Sequence, residues 1–164
     1  MGREEPMRLY LLRHGIAYDR ANWQGKDDEL RPLTDEGIVA MKREARSIGQ
    51  MKLKVDAMIT SPLVRARDTA RIVAKTLNMK VDENPLLKPG FDLQALDGLL
   101  AQYAECNHVM LVGHEPDFSQ VIGHLVGGGT IVMKKGGLAR VDITTPHPPH
   151  GELVWLLTPS LLGA

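Results

Sequence analysis

Two runs of solidly apolar residues, Leu9-Tyr10-Leu11-Leu12 and Val109-Met110-Leu111-Val112, constrain this chain more than anything else in it. A strand that is apolar at every position, rather than at every second one, must be covered on both faces. That is the setting of a parallel sheet held between two layers of helices. Other short apolar runs alternate with segments of helical period. The sequence therefore predicts an α/β domain, a three-layer α/β/α sandwich with a mostly parallel central sheet.

The helical segments carry their own punctuation. Thr34 is a predicted N-cap, followed by Asp35 and Glu36 at the positive helix end and by Ile38, Met41, Ala45 and Ile48 at helical spacing. A second strand runs from about Val55 to Thr60. Ser61 then reads as an N-cap and Pro62 as the first residue of a helix whose stripe is Ala66, Ala70, Val73 and Leu77. A short strand near Val81 precedes a third helix capped by Asp92, with Leu93, Leu96, Leu100 and Tyr103 inward. Pro116 opens a fourth, with Phe118, Val121, Ile122 and Leu125 inward, and Gly127-Gly128-Gly129 stops it. Two last strands, about Leu138 to Ile143 and Leu153 to Leu157, run antiparallel or lie at an edge. Pro146, Pro148 and Pro149 between them predict a stiff exposed loop. Residues 1–6 read as a tail and 7–164 as one domain.

Charge excludes several classes of partner. Lys plus Arg number 20 and Asp plus Glu number 20, so nothing attracts nucleic acid or an anionic membrane surface. No apolar run is long enough to span a bilayer, and the first residues lack the apolar stretch of a signal peptide. The single cysteine, Cys106, forms no internal disulfide and suits a cytoplasmic, reducing setting. His108, His124, His147 and His150 have no cysteine or carboxylate cluster around them, so no metal site is expected.

Three of the strands end in polar residues: Arg13-His14-Gly15, Ser61-Pro62 with Arg65 a turn later, and Gly113-His114-Glu115-Pro116. In an open parallel sheet, ligands bind beyond the carboxyl ends of the strands. If these strands are neighbours, two arginines and two histidines meet in one cationic cup inside a neutral protein, and such a cup selects a compact anion. Arginine presents a planar fork that matches phosphate oxygens. A neutral imidazole is a competent nucleophile near pH 7, its free pKa being about 6.5. His14 would keep one ring nitrogen bare and donate from the other to a carbonyl. Gly15 would allow a tight turn.

These blocks resemble a known family. Leu12-Arg13-His14-Gly15 is similar to the R-H-G signature of the histidine phosphatase superfamily, which includes the phosphoglycerate mutases. Ser61-Pro62-Leu63-Val64-Arg65-Ala66-Arg67-Asp68-Thr69-Ala70 resembles its S-P-x-x-R-A-x-x-T block, and Val112-Gly113-His114-Glu115-Pro116 its third. Length, spacing and the stretch Arg31-Pro32-Leu33-Thr34-Asp35-Glu36-Gly37 are most similar to the small SixA-type phosphohistidine phosphatases. The resemblance covers Met7 to about Pro159. It implies a phosphoglycerate mutase-like fold and phosphorylation of His14, with Arg13, Arg65, His114 and Gly15 around the phosphoryl group, His114 protonated as a donor. It implies no cofactor.

The larger members carry a carboxylate after the third strand that protonates the leaving oxygen. Here that region reads Leu86-Leu87-Lys88-Pro89-Gly90-Phe91-Asp92, without an obvious counterpart. A phosphoramidate leaves more readily than an alkoxide, so the expected substrate is phosphohistidine on a signalling or phosphotransfer protein. The alternatives are a small phosphorylated molecule, handled by a phosphomonoesterase or mutase, and a non-catalytic phosphate-binding domain. The loop from Asp19 to Leu30 is longer than in the shortest relatives, and Arg20, Asn22, Trp23 or Lys26 would shape the rim. Glu115 reads as a helix-terminus carboxylate, and Arg67 and Arg71 as solvated helix residues.

Overall fold

The computed structural model describes residues 5–163, so all but the last two residues of the expected tail lie outside the described part; Glu5 and Pro6 are exposed. The elements run β1 (Met7–Arg13), α1 (Asp35–Gln50), β2 (Ala57–Thr60), α2 (Val64–Leu77), β3 (Asp82–Glu83), α3 (Leu93–Gln102), β4 (His108–Gly113), α4 (Asp117–Leu125), β5 (Leu138–Pro146) and β6 (Pro149–Leu157). Short 3-10 turns lie at Asp28–Leu30, Pro85–Leu87 and Pro159–Leu162.

The strands form one sheet in the order β3-β2-β4-β1-β5-β6. The first four are mutually parallel, whereas β5 runs antiparallel to β1 and β6 antiparallel to β5. The apolar runs of β1 and β4 are buried throughout because both faces are covered. Leu9, Leu11, Val109 and Leu111 pack with Leu96, Leu99, Phe118 and Val121 of α3 and α4. Tyr10, Leu12, Met110 and Val112 face the other way, onto Met41, Ile48, Ala70 and Val73 of α1 and α2. Alternate residues of one strand thus feed two cores, and each fully buried leucine contributes about 1.5–3 kcal/mol.

The predicted caps of two helices hold. Thr34 Oγ1 accepts the Gly37 N–H, and Asp92 accepts the Ala95 N–H. The start of α2 differs from expectation. Its N-cap is Leu63, with no side-chain capping bond, so Ser61 and Pro62 precede the helix instead of opening it. The last hairpin differs too. β5 and β6 extend until Pro146 pairs with Pro149, leaving only His147 and Pro148 as the turn. Proline at the last and first positions of a strand removes no ladder donor that is needed.

Register positions the site. Arg13 lies opposite Gly113, and Thr60 opposite Val112. The carboxyl ends of β1, β4 and β2 therefore finish level, with β4 in the middle, and the residues that follow them emerge side by side.

Candidate active site

His14 leaves β1 still bonded to its neighbour, its N–H donating to the Gly113 carbonyl at 3.0 Å. The Ser61 N–H does the same to the Val112 carbonyl at 3.0 Å. The two predicted histidines consequently meet, their ring centroids 5.3 Å apart and their planes inclined by 58°. His14, His114 and Arg65 are all buried, and Arg13 half-buried.

Local bonds settle the state of His14. Its Nδ1 donates to the Gly15 carbonyl at 2.7 Å, so Nε2 carries the lone pair. Burial lowers its pKa to about 3; the Gly15 bond opposes this, and the charges of His114, Arg65 and Arg13 add to it. The imidazole is therefore neutral at neutral pH. Gly15 is required by packing, not by an unusual turn, since a Cβ there would lie 2.6 Å from Met41 Cγ. Its N–H donates to Thr69 Oγ1 at 3.0 Å, and Thr69 Oγ1 donates in turn to the Arg65 carbonyl at 2.7 Å. Both backbone groups of Gly15 are thus engaged in orienting His14 and joining β1 to α2.

His114 departs from the protonated state expected of it. Burial, with the charge of Arg65 next, lowers its pKa to about 3. Its Nε2 lies 2.8 Å from Ser61 Oγ. That hydroxyl accepts the Leu63 N–H at 3.3 Å and has both a proton and a second lone pair to offer Nε2. Where Ser61 donates, the ring proton of a neutral His114 sits on Nδ1, a buried nitrogen without a hydrogen-bond partner.

Arg13 is anchored by Nη1, which donates to the Met133 carbonyl at 2.8 Å. The loop that supplies this carbonyl also fastens the end of β1, through Arg13 N–H to the Gly137 carbonyl and Gly136 N–H to the His14 carbonyl. Arg65 reaches Asp28 with both terminal nitrogens. In each arginine Nε is buried and unpartnered. Arg13 Nε, Arg65 Nε and His114 Nδ1 are thus three buried nitrogens without partners, on the residues whose charges act on His14. Buried polar groups left this way call for an explanation, and a bound ligand is one.

The rim loop enters through Asp28. Its carboxylate receives Arg31 Nε at 2.8 Å, Arg65 Nη2 at 3.2 Å and Arg20 Nε at 3.3 Å. Of the proposed rim residues, Arg20 is exposed and reaches the cup's edge through Asp28. Asn22 and Trp23 shape the loop, both donating their N–H to the Asp19 carbonyl, and the Trp23 ring lies against Gly25. Lys26 is exposed. Lys88 pairs with Glu29 at 2.7 Å and Asp92 caps α3. Glu115 accepts from the N–H and hydroxyl of Ser119, as a helix-terminus carboxylate does. Among the described residues, no three of His, Cys, Asp and Glu are grouped to hold a metal ion, and no helix is long and apolar enough to cross a membrane.

Residue reasoning did not single out Asp28, Thr69 or the role of Ser61. Ser61 and Thr69 stand inside the second motif block, which was the available signal. Asp28 had none, because its partner is 37 residues away.

Comparison with known proteins agrees with this fold. The family model for the histidine phosphatase superfamily (branch 1) matches residues 9–91. An uncharacterized protein of Picosynechococcus sp. (strain PCC 7002) is 33% identical over 95% of this chain and 99% of its own length. The phosphohistidine phosphatase SixA of Escherichia coli (strain K12) is 26% identical over 93% of this chain and 94% of its own. The structure of the protein histidine phosphatase SixA complexed with tungstate superposes with a TM-score of 0.83, at 24% identity, over 95% of this chain and 99% of that one.

Proposed function

This chain belongs to the histidine phosphatase superfamily, and from that premise we propose that it removes phosphate from phosphohistidine on a protein through a phosphorylated His14. The observation that carries the reading is the neutral, tautomerically fixed imidazole together with three buried unpartnered nitrogens on the residues whose charges act on it. A tetrahedral oxyanion supplies acceptors of the kind these donors lack.

The chemistry follows from the arrangement. The lone pair on His14 Nε2 attacks phosphorus, and the substrate P–N bond breaks with its electrons passing to the leaving ring nitrogen. A substrate imidazole that carries a proton on its other nitrogen leaves neutral. Arg13 and Arg65 stabilise the charge spread over the equatorial oxygens, with His114 donating from Nδ1. Water then attacks the phosphohistidine, its proton passes to phosphate or solvent, and the pair returns to Nε2. Gly15 holds Nδ1–H throughout.

Leaving-group chemistry supports phosphohistidine over an alkyl phosphate. The carboxylates around the cup are committed elsewhere, Asp28 to arginines and Glu115 to Ser119. Burial alone would raise the Asp28 pKa, but the Arg31 hydrogen bond and the charges of Arg65, Arg31 and Arg20 outweigh it and keep Asp28 ionised. An alkoxide lacks a ready proton here, while an imidazole does not need one. The single cysteine suits a reducing compartment, and on that ground we place the activity in the cytoplasm. The test compares hydrolysis of a phosphohistidine-bearing phosphotransfer domain with that of a simple alkyl phosphate at pH 7. The proposal expects clear preference for the former; equal or greater turnover of the alkyl phosphate favours a small-molecule phosphomonoesterase.

A further inference from the structure

We propose that Asp28 is a positioning residue that selects which edge of the Arg65 guanidinium faces the cup. The inference rests on reading the cup as a phosphoryl site.

A guanidinium offers two kinds of double donor. The end-on edge uses one proton from each terminal nitrogen, and the side-on fork uses Nε–H with the outer proton of one terminal nitrogen. Arg65 Nη1 donates to the Asp28 backbone carbonyl at 2.9 Å, and Nη2 to Asp28 Oδ2 at 3.2 Å. One residue therefore takes the end-on edge with its main chain and its side chain together. What remains is the side-on fork: Nε, buried and without a partner, with the second proton of Nη2.

Asp28 can hold this edge because it is itself held. Its other oxygen, Oδ1, receives Arg31 Nε at 2.8 Å and Arg20 Nε at 3.3 Å. Arg31 is largely buried, its side chain 12% exposed. The carboxylate is divided, one oxygen for the rim arginines and one for the site arginine. The arginine side chain has many rotamers, and fixing its fork in advance lowers the cost of binding. Without Asp28, the guanidinium is free to turn its end-on edge inward.

A negative charge so close to a phosphate site has an opposite reading, in which Asp28 competes with the anion for Arg65. The two readings differ in sign. Positioning makes removal of Asp28 weaken phosphate binding; competition makes it tighten.

The experiment is titration calorimetry of the full chain with inorganic phosphate at pH 7. The variants are Asp28→Ala, Asp28→Glu and Glu29→Ala. Glu29→Ala cuts the salt bridge from the same loop to Lys88 and controls for loop anchoring in general. Positioning predicts that Asp28→Ala raises the phosphate Kd about tenfold, the loss of one organised charge-assisted contact. It predicts that Asp28→Glu recovers most of that loss and Glu29→Ala leaves Kd unchanged. An Asp28→Ala Kd that is unchanged or lower overturns the proposal while leaving the cup intact. So does a Glu29→Ala loss as large as that of Asp28→Ala. A wild-type chain that binds no phosphate overturns the reading of the cup itself, and this inference with it.

Discussion

The His114 ring lies between two different surroundings: Ser61 Oγ is 2.8 Å from its Nε2, while its Nδ1 is buried without a partner. A hydroxyl that donates to Nε2 places the proton of a neutral ring on Nδ1, and one that accepts from Nε2 leaves Nδ1 a lone pair.

Ser61→Ala removes that hydroxyl. The Nε2 position loses its partner, and the two tautomers of His114 become closer in energy. We expect kcat/KM to fall by roughly tenfold to a hundredfold, the equivalent of about 1–3 kcal/mol for a buried polar group left unpaired. Nitrogen-15 NMR of the ring checks the cause directly. His114 should be protonated on Nδ1 in the wild type and become a mixture in the variant.

Two buried histidines with depressed pKa values make stability depend on pH in a definite direction. Burial lowers both His14 and His114 to about 3 in the folded chain, against about 6.5 unfolded. Between those values the unfolded chain binds more protons, so stability present above pH 6.5 is lost as pH falls toward 3. Denaturant unfolding at pH 7.5 and pH 5 should show a drop for the wild type and a smaller one for His114→Asn. The His14 ring signal should keep its neutral chemical shift down to pH 5. A shift midpoint near 6.5 contradicts the burial argument.

Glu44 makes the opposite contribution. It is 1% exposed on the inner face of α1, its Oε2 has no partner, and burial raises its pKa to about 8. A carboxyl raised this way costs stability as pH climbs from the ordinary carboxylate range to 8, because only the unfolded chain ionises freely there. Glu44→Met removes the cost with little change of volume. We expect the variant to be more stable than wild type by about 1–3 kcal/mol at pH 8, with a much smaller gain at pH 5. Equal gains at both values contradict the assignment.

These residues also show where sequence reasoning reaches and where it stops. The strands β1 and β4, the caps Thr34 and Asp92, and the convergence of Arg13, His14, Arg65 and His114 were all legible, because each is written in a short stretch and parallel-sheet topology joins the stretches. Ser61 reads as a helix cap, since a serine before proline has the same local pattern whether it meets a helix N–H or a histidine, but the helix starts after Leu63. Glu44 falls at helical spacing with Met41 and Ile48, yet its charge argues for exposure; only the packing of α1 shows that it is buried. The need for glycine at position 15 comes from Met41 on another element. Asp28 depends on the path of a loop that brings it to an arginine far along the chain. Prolines 146 and 149 read as strand breakers, but both occupy strand ends where a missing N–H does no harm.

Trapping the phosphoenzyme tests the central claim most directly. The chain is mixed with a phosphotransfer domain carrying labelled phosphate on histidine, quenched within milliseconds in base, and the site of label is mapped. The account predicts an acid-labile, base-stable label on His14, absent in His14→Ala, with turnover abolished in that variant and in Arg13→Ala while the fold is retained. Normal turnover by His14→Ala, or label on another residue, contradicts it.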